Sequence, residues 1–159
     1  MPSSPASNQK TKPTNLKVVH KGGGPPKLSQ YQKLYKSDVV LIASAKAGIS
    51  PHAIVDLVKH ADRSLEQLAP LLYVTPRTIR NYINDNKLLP VPQSEQLLKL
   101  YALYDKGIEA FGNTQVFNSW LGKSSYRLNN QTPDSLLLTS TGTGMVMDEL
   151  KRIMHGDLF

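Results

Sequence analysis

The chain contains no cysteine, which removes disulfide frameworks, thiolate nucleophiles and thiolate metal sites together. Its four histidines, His20, His52, His60 and His155, never fall at the spacing of a ligand pair, so neither a metal nor a cofactor is expected. No run of eighteen apolar residues exists, and the start is polar and lysine-bearing. A membrane span or secretory leader is therefore not expected, and a cytoplasmic location is. Acidic residues are missing from the first 36 positions, where seven lysines (Lys10, Lys12, Lys17, Lys21, Lys27, Lys33 and Lys36) stand without a carboxylate. Residues 37–159 carry twelve basic and twelve acidic side chains, so the formal charge of +7 belongs entirely to the leading segment. Such a balance suggests a polyanionic partner for that segment.

The leading segment is rich in Ser, Pro, Gly and Lys, with PSSPASNQKTKPTN at 2–15 and GGGPP at 22–26. It has too few apolar side chains to offset its ordering entropy, and residues 1–36 are expected to form a flexible basic arm. The arm serves either as a solubilising leader or as a clamp on phosphates. A clamp would give log affinity a slope of roughly −0.9 per log salt for each phosphate neutralised.

The remainder is punctuated by three hydroxyl–proline pairs, Ser50-Pro51, Thr75-Pro76 and Thr132-Pro133. Each suits a helix start, because the hydroxyl accepts a free first-turn amide and proline there loses no hydrogen bond. Gly48 and Gly156 mark helix ends. Apolar spacing is helical throughout and no extended run alternates with period two, so the fold class is all-α.

Helices are expected over 36–47 and from Pro51 to about Ala61, the second with Ile54, Val55, Val58 and Ala61 on one face. Leu65, Leu68, Ala69 and Leu72 follow at i, i+3, i+4, i+7, and Ile79, Tyr82 and Ile83 come after a turn. A long helix capped by Ser94 carries Leu97, Tyr101, Tyr104, Ile108 and Phe111. A short one from Asn113 carries Val116, Phe117, Trp120 and Leu121. Beyond the polar loop GKSSYRLNNQ, Thr132-Pro133 opens a short helix with Leu136 and Leu137. The last helix, roughly 142–155, packs Val146, Met147, Leu150, Ile153 and Met154 on one side. Gly142, Gly144 and Trp120 read as structural, the glycines for a tight loop and helix start.

The stretch SLEQLAPLLYVTPRTIRNYI at 64–83 has the apolar spacing of a helix-turn-helix. Ala69 allows a close crossing, Leu65, Leu68 and Leu72 pack, Val74 plugs the turn, and Ile79 and Tyr82 bury the inner face of the second helix. Arg77, Thr78, Arg80, Asn81 and Asn84 then point outward. Arginine pairs bidentately with guanine and asparagine with adenine, while threonine meets phosphate or the thymine methyl. Two features depart from the pattern. Tyr73 stands where glycine is favoured, and Pro70 interrupts the first helix, which should bend or start later.

Taken with LLPVPQSEQLLKLYALYDKGIEAFGN at 88–113, WL at 120–121, TPDSLL at 132–137, TGTGMV at 141–146 and ELKRIMHG at 149–156, the pattern from about Gly48 to Gly156 resembles the antitoxins of the Xre/MbcA/ParS family. The resemblance implies an Xre-like helix-turn-helix domain followed by a small helical toxin-binding domain. The divisions would be a basic arm at 1–36, a DNA-binding domain with its long connecting helix at 37–111, and a toxin-binding domain at 112–159. It implies a RES-domain toxin as partner, one that depletes NAD and whose pocket the antitoxin obstructs. It also implies operator DNA as a second partner and homodimerisation within the toxin complex. By this resemblance Thr75, Arg77, Thr78, Arg80 and Asn81 would face DNA. Arg152, His155, Gly156, Asp157, Leu158 and Phe159 would reach the toxin.

Plainer readings stand beside these. Arg152 could complement a helix dipole, His155 could be a last-turn residue, and Leu158 with Phe159 could fold back on the core. A free-standing transcriptional regulator would keep the DNA-binding half without a toxin, and a third possibility keeps the helix-turn-helix only for packing. Ser140, His155 and Asp157 could form a catalytic triad in principle, but no strained nucleophile turn accompanies them, and the chain is not expected to be an enzyme.

Overall fold

The computed structural model describes residues 29–156, and these are all-α: nine helices, two short 3₁₀ turns and no strand among the described residues. In chain order the helices are α1 (Ser29–Gln32), α2 (Asp38–Ala47), α3 (His52–Ala61), α4 (Leu65–Leu68), α5 (Pro76–Asn84), α6 (Val91–Phe111), α7 (Thr114–Leu121), α8 (Pro133–Leu136) and α9 (Ser140–Met154). None of the described helices is long and apolar enough to cross a membrane.

Local chemistry sets most boundaries. The side chains of Ser37, Ser64, Thr75, Asn113, Thr132 and Thr139 each accept a first-turn amide, starting α2, α4, α5, α7, α8 and α9. At Ser64 the cap is reciprocal, since Gln67 Oε1 accepts the Ser64 amide at 2.9 Å. Thr139 starts α9 two residues before the expected position. Gly142 therefore lies inside the helix, where a Cβ would stand 1.9 Å from the Leu136 carbonyl oxygen. This glycine is required by the approach of α8, not by a loop.

The long helix α6 also begins earlier than its apolar pattern indicates, at Val91 behind Pro90, with Pro92 in the first turn where amides lack partners anyway. Ser94 is thus not its cap. Its buried hydroxyl accepts the Ile49 amide and donates to the Leu89 carbonyl, each at 3.1 Å, and so ties the α2–α3 connection to the start of α6.

α6 is the axis of the molecule. α2 lies along it in the opposite direction, since Tyr35 just before α2 meets Asp105 while Ile49 just after it meets Ser94. α9 flanks it as well, and α7 covers its C-terminal half. Leu97, Leu98, Leu100, Tyr101, Leu103 and Tyr104 are buried on several sides of α6, a wider surface than the single expected stripe, because neighbours enclose it; Ile108 and Phe111 are only partly buried. One apolar cluster runs without a break from Tyr31 to Leu150. At its C-terminal end Phe117 meets Tyr104 edge-on at 5.2 Å and stacks near Trp120 at 5.9 Å, above Gly107, where any Cβ would enter the Phe117 ring.

Three further expectations change. Residues 29–35 do not belong to a free arm: Tyr31 is 4% exposed and donates to the buried Asp56 carboxylate, its ring 4.6 Å from Tyr101, and Tyr35 donates to Asp105. Burial, then the adjacent carboxylates, raise both phenol pKa values. On α3, Ala53 and Leu57 join Ile54 and Ala61 in the core, leaving Val55 and Val58 half-buried. On α7, Val116 faces outward while Phe117 and Leu121 are buried. Residues 1–28 and the expectation of a basic arm there lie outside the described residues.

Polar contacts hold the halves together. Asn118 donates to the Ala61 carbonyl at 2.8 Å and accepts from Tyr104 at 3.0 Å, and Arg63 pairs with Asp134 at 2.7 Å. Gln96, itself buried, donates to Thr143 Oγ1 at 3.1 Å and the Leu137 carbonyl at 3.4 Å, fixing α9 against α6. Burial pushes the Tyr104 phenol up to about 12.

Candidate functional site

Pro70 has no amide to continue α4, so the chain tightens into a 3₁₀ turn over Pro70–Leu72. Tyr73 then turns the chain at φ +60°, ψ 31°, and the Val74 amide closes back on the Ala69 carbonyl at 3.2 Å. A left-handed tyrosine costs about 1 to 2 kcal/mol relative to an ordinary conformation. The interlocking of Leu68, Ala69, Leu72 and Ile79, all fully buried, over-determines the turn. Val74, Tyr82 and Ile83 pack against the same core.

This packing fixes which face of α5 looks outward. Arg77, Arg80, Asn81 and Asn84 are exposed and stand at i, i+3, i+4, i+7, one continuous polar face. Thr75 and Thr78 sit at the N-terminal end, where Thr75 Oγ1 accepts the Thr78 amide at 3.1 Å and meets the Thr78 hydroxyl at 2.9 Å. The Thr75 hydroxyl thus caps the helix, and the Thr78 hydroxyl is bonded to it. Arg80 reaches across the turn to Glu66 on α4 at 3.0 Å, whereas Arg77 has no ion-pair partner among the described residues. Nothing in the apolar pattern signals the Glu66 contact, because the two residues lie on different helices.

At the other end of the chain, Arg152 pairs with Glu149 one turn earlier and is partly buried. His155 follows the last turn of α9 and is exposed, and Gly156 turns the chain at φ +77°. Asp157, Leu158 and Phe159 lie outside the described residues. Residues not singled out from the sequence are prominent on the same half: Leu138 and Met145 are apolar and about half exposed, and Tyr126 is 87% exposed. Their signal is that each falls off the stripe its own helix or turn buries.

The triad alternative fails on geometry. Ser140 and His155 flank α9 at opposite ends, roughly 22 Å apart at 1.5 Å per residue, and the Ser140 hydroxyl accepts from Lys99 Nζ at 2.8 Å. Among the described residues, no three His, Asp or Glu side chains converge as a metal site would need.

Known proteins share much of this chain. Residues 106–156 match the antitoxin Xre/MbcA/ParS C-terminal toxin-binding domain. Over 119 residues the chain is 27% identical to an Antitoxin Xre of Yersinia enterocolitica, a span covering 74% of this chain and 80% of that one. Over 106 residues it is 28% identical to an Antitoxin Xre of Pseudomonas putida, covering 63% and 64%. From the end of α6 through α9 the chain is thus similar to the toxin-binding domain of the Xre/MbcA/ParS antitoxins, and over most of its length it is similar to two Xre antitoxins of toxin–antitoxin systems.

Proposed function

We propose that this antitoxin neutralises a RES-domain toxin by obstructing its NAD-consuming active site, and that as a homodimer it binds its own promoter and represses the operon. Residues 37–111 form the DNA-facing part and residues 112–159 the toxin-facing part. The observation that carries the DNA reading is the outer face of α5, where Arg77, Arg80, Asn81 and Asn84 are presented together on a helix whose other side is locked into the core. Guanidinium and carboxamide groups at that spacing suit base edges in a major groove, and Thr75 and Thr78 at the helix start suit a phosphate. The toxin reading rests on the matched domain, with Arg152, His155, Gly156, Asp157, Leu158 and Phe159 as its contact residues, joined by the exposed Leu138 and Met145.

The Arg80–Glu66 pair supports a narrower alternative, in which α5 only packs and does not read DNA. Operator binding by the purified protein separates the two. A shift of promoter DNA that is lost in Arg77→Ala supports recognition by α5; no shift with any promoter fragment, while the toxin complex persists, leaves the packing role. Cellular NAD during induction of the neighbouring gene, with and without this antitoxin, tests the toxin half.

A further inference from the structure

α2 has the sequence DVVLIASAKA and buries only Leu41 and Ala45. A surface helix normally presents a polar outer face, yet here Val39 is 78% exposed and Ile42 48% exposed, with Ala43 and Ala47 exposed beside them. The apolar surface continues past the helix end in Leu88, which lies 3.2 Å from where a Gly48 Cβ would stand and is itself half exposed.

The charges on this face are arranged about its middle. Asp38, Ile42 and Lys46 stand at i, i+4, i+8, a single row along the helix. Asp38 and Lys46 are both exposed, and neither has an ion-pair partner among the described residues. A row reading acid, isoleucine, base is complementary to itself when reversed. We infer that the outer face of α2 pairs antiparallel with α2 of a second copy, about a two-fold axis at Ile42. This rests on the homodimer reading above and gives that dimer its interface.

In this pairing Ile42 meets its symmetry mate, and Asp38 of each copy lies over Lys46 of the other. Such a patch-on-itself contact is what a closed two-fold dimer requires. The helix dipoles also oppose favourably. The two exposed ion pairs set direction and alignment, since pairs in contact with water add little attraction of their own, and burial of Val39 and Ile42 supplies the driving force. The other two partners fit this face poorly. α2 lies outside the matched toxin-binding domain at 106–156, and a single lysine amid apolar residues does not suit a phosphate backbone.

The absence of cysteine makes the test direct. In the full-length protein, Ile42→Cys introduces the only thiol, and mild oxidation should convert it to a disulfide-linked dimer. Tyr126→Cys, at a position 87% exposed and remote from α2 in sequence, should cross-link at least tenfold more slowly. Solution mass, with and without operator DNA, is measured in parallel. Asp38→Lys and Lys46→Asp should each reduce the dimer fraction severalfold, and the charge-swapped double variant should restore it. A protein that is dimeric by mass, but in which Ile42→Cys links no faster than Tyr126→Cys, would overturn the α2 interface and leave the dimer standing. A monomer both alone and on DNA would overturn both.

Discussion

The outer faces of α5 and α9 are built from different chemistry although both helices bury their inner faces in the same core. α5 shows the solvent two arginines and two asparagines, of which only Arg80 is tied to another side chain in an ion pair among the described residues. α9 shows apolar Met145, with Leu138 exposed just before the helix, and its charges are largely spent within the helix, Glu149 on Arg152 and Asp148 on Lys151. An unpaired guanidinium beside carboxamides suits a polyanion with readable edges; an apolar surface with neutralised charges suits another protein. The two faces should therefore fail separately when damaged.

The largest expected effect breaks the comparison from the α9 side. Gly142→Ala drives a Cβ into the Leu136 carbonyl, and overpacking costs about 1 to 3 kcal/mol, with a contact this close to backbone at or above the upper end. Thermal unfolding should show the loss, and toxin binding should weaken with it. Gly144→Ala, with nothing within 4 Å of the new methyl, should instead raise stability by about 0.5 to 1 kcal/mol, as alanine does in a helix interior. Equal effects at the two positions would show that α8 does not press on α9 as described.

The next effect breaks it from the α5 side. Arg77→Ala should weaken operator binding by about 1 to 3 kcal/mol, read by mobility shift, and leave toxin binding unchanged. A third prediction probes the seam between the halves. His60 on α3 accepts Thr114 of α7 through its carbonyl at 3.4 Å, and its ring lies 6.2 Å from Tyr104. Burial lowers its pKa below the ordinary 6.5, opposed by the Asp105 carboxylate, and its buried Nε2 has no hydrogen-bond partner among the described residues. The unfolded chain therefore takes up a proton that the folded one resists. Stability should be insensitive to this group above pH 6.5 and fall as pH drops below it. His60→Asn should flatten that part of the stability–pH curve, and an unchanged curve would exclude His60 as its source. The smallest effect is expected for Glu66→Ala, which removes an exposed pair worth about 0.2 to 1 kcal/mol and frees Arg80; operator binding should hold or tighten slightly.

What was legible in the sequence follows from the range of the interactions. Caps at Thr75 and Thr132 and the i, i+3, i+4, i+7 face of α5 depend on neighbours within one or two turns, so spacing reveals them. The roles of Ser94, Gly142 and Tyr31 depend on groups elsewhere in the fold: Ser94 bonds Ile49 from 45 residues away, Gly142 clears the neighbouring helix, and Tyr31 docks on Asp56. Pattern alone made the first a cap, the second a loop glycine and the third part of a free arm. In the candidate site, α5 could be read because its apolar partners lie in the preceding twenty residues, while the Glu66 tether could not, since it joins two helices. The exposed Leu138 and Met145 do not stand out in the sequence, because apolar residues next to a buried stripe look like part of it.

The most direct test is cellular NAD after induction of the neighbouring gene, alone and with this protein, together with co-purification of the pair. The account predicts that NAD falls with the toxin alone and is preserved in a stable complex, for Arg77→Ala as for the unaltered chain. NAD that never falls, or that falls equally with this protein present, would contradict it.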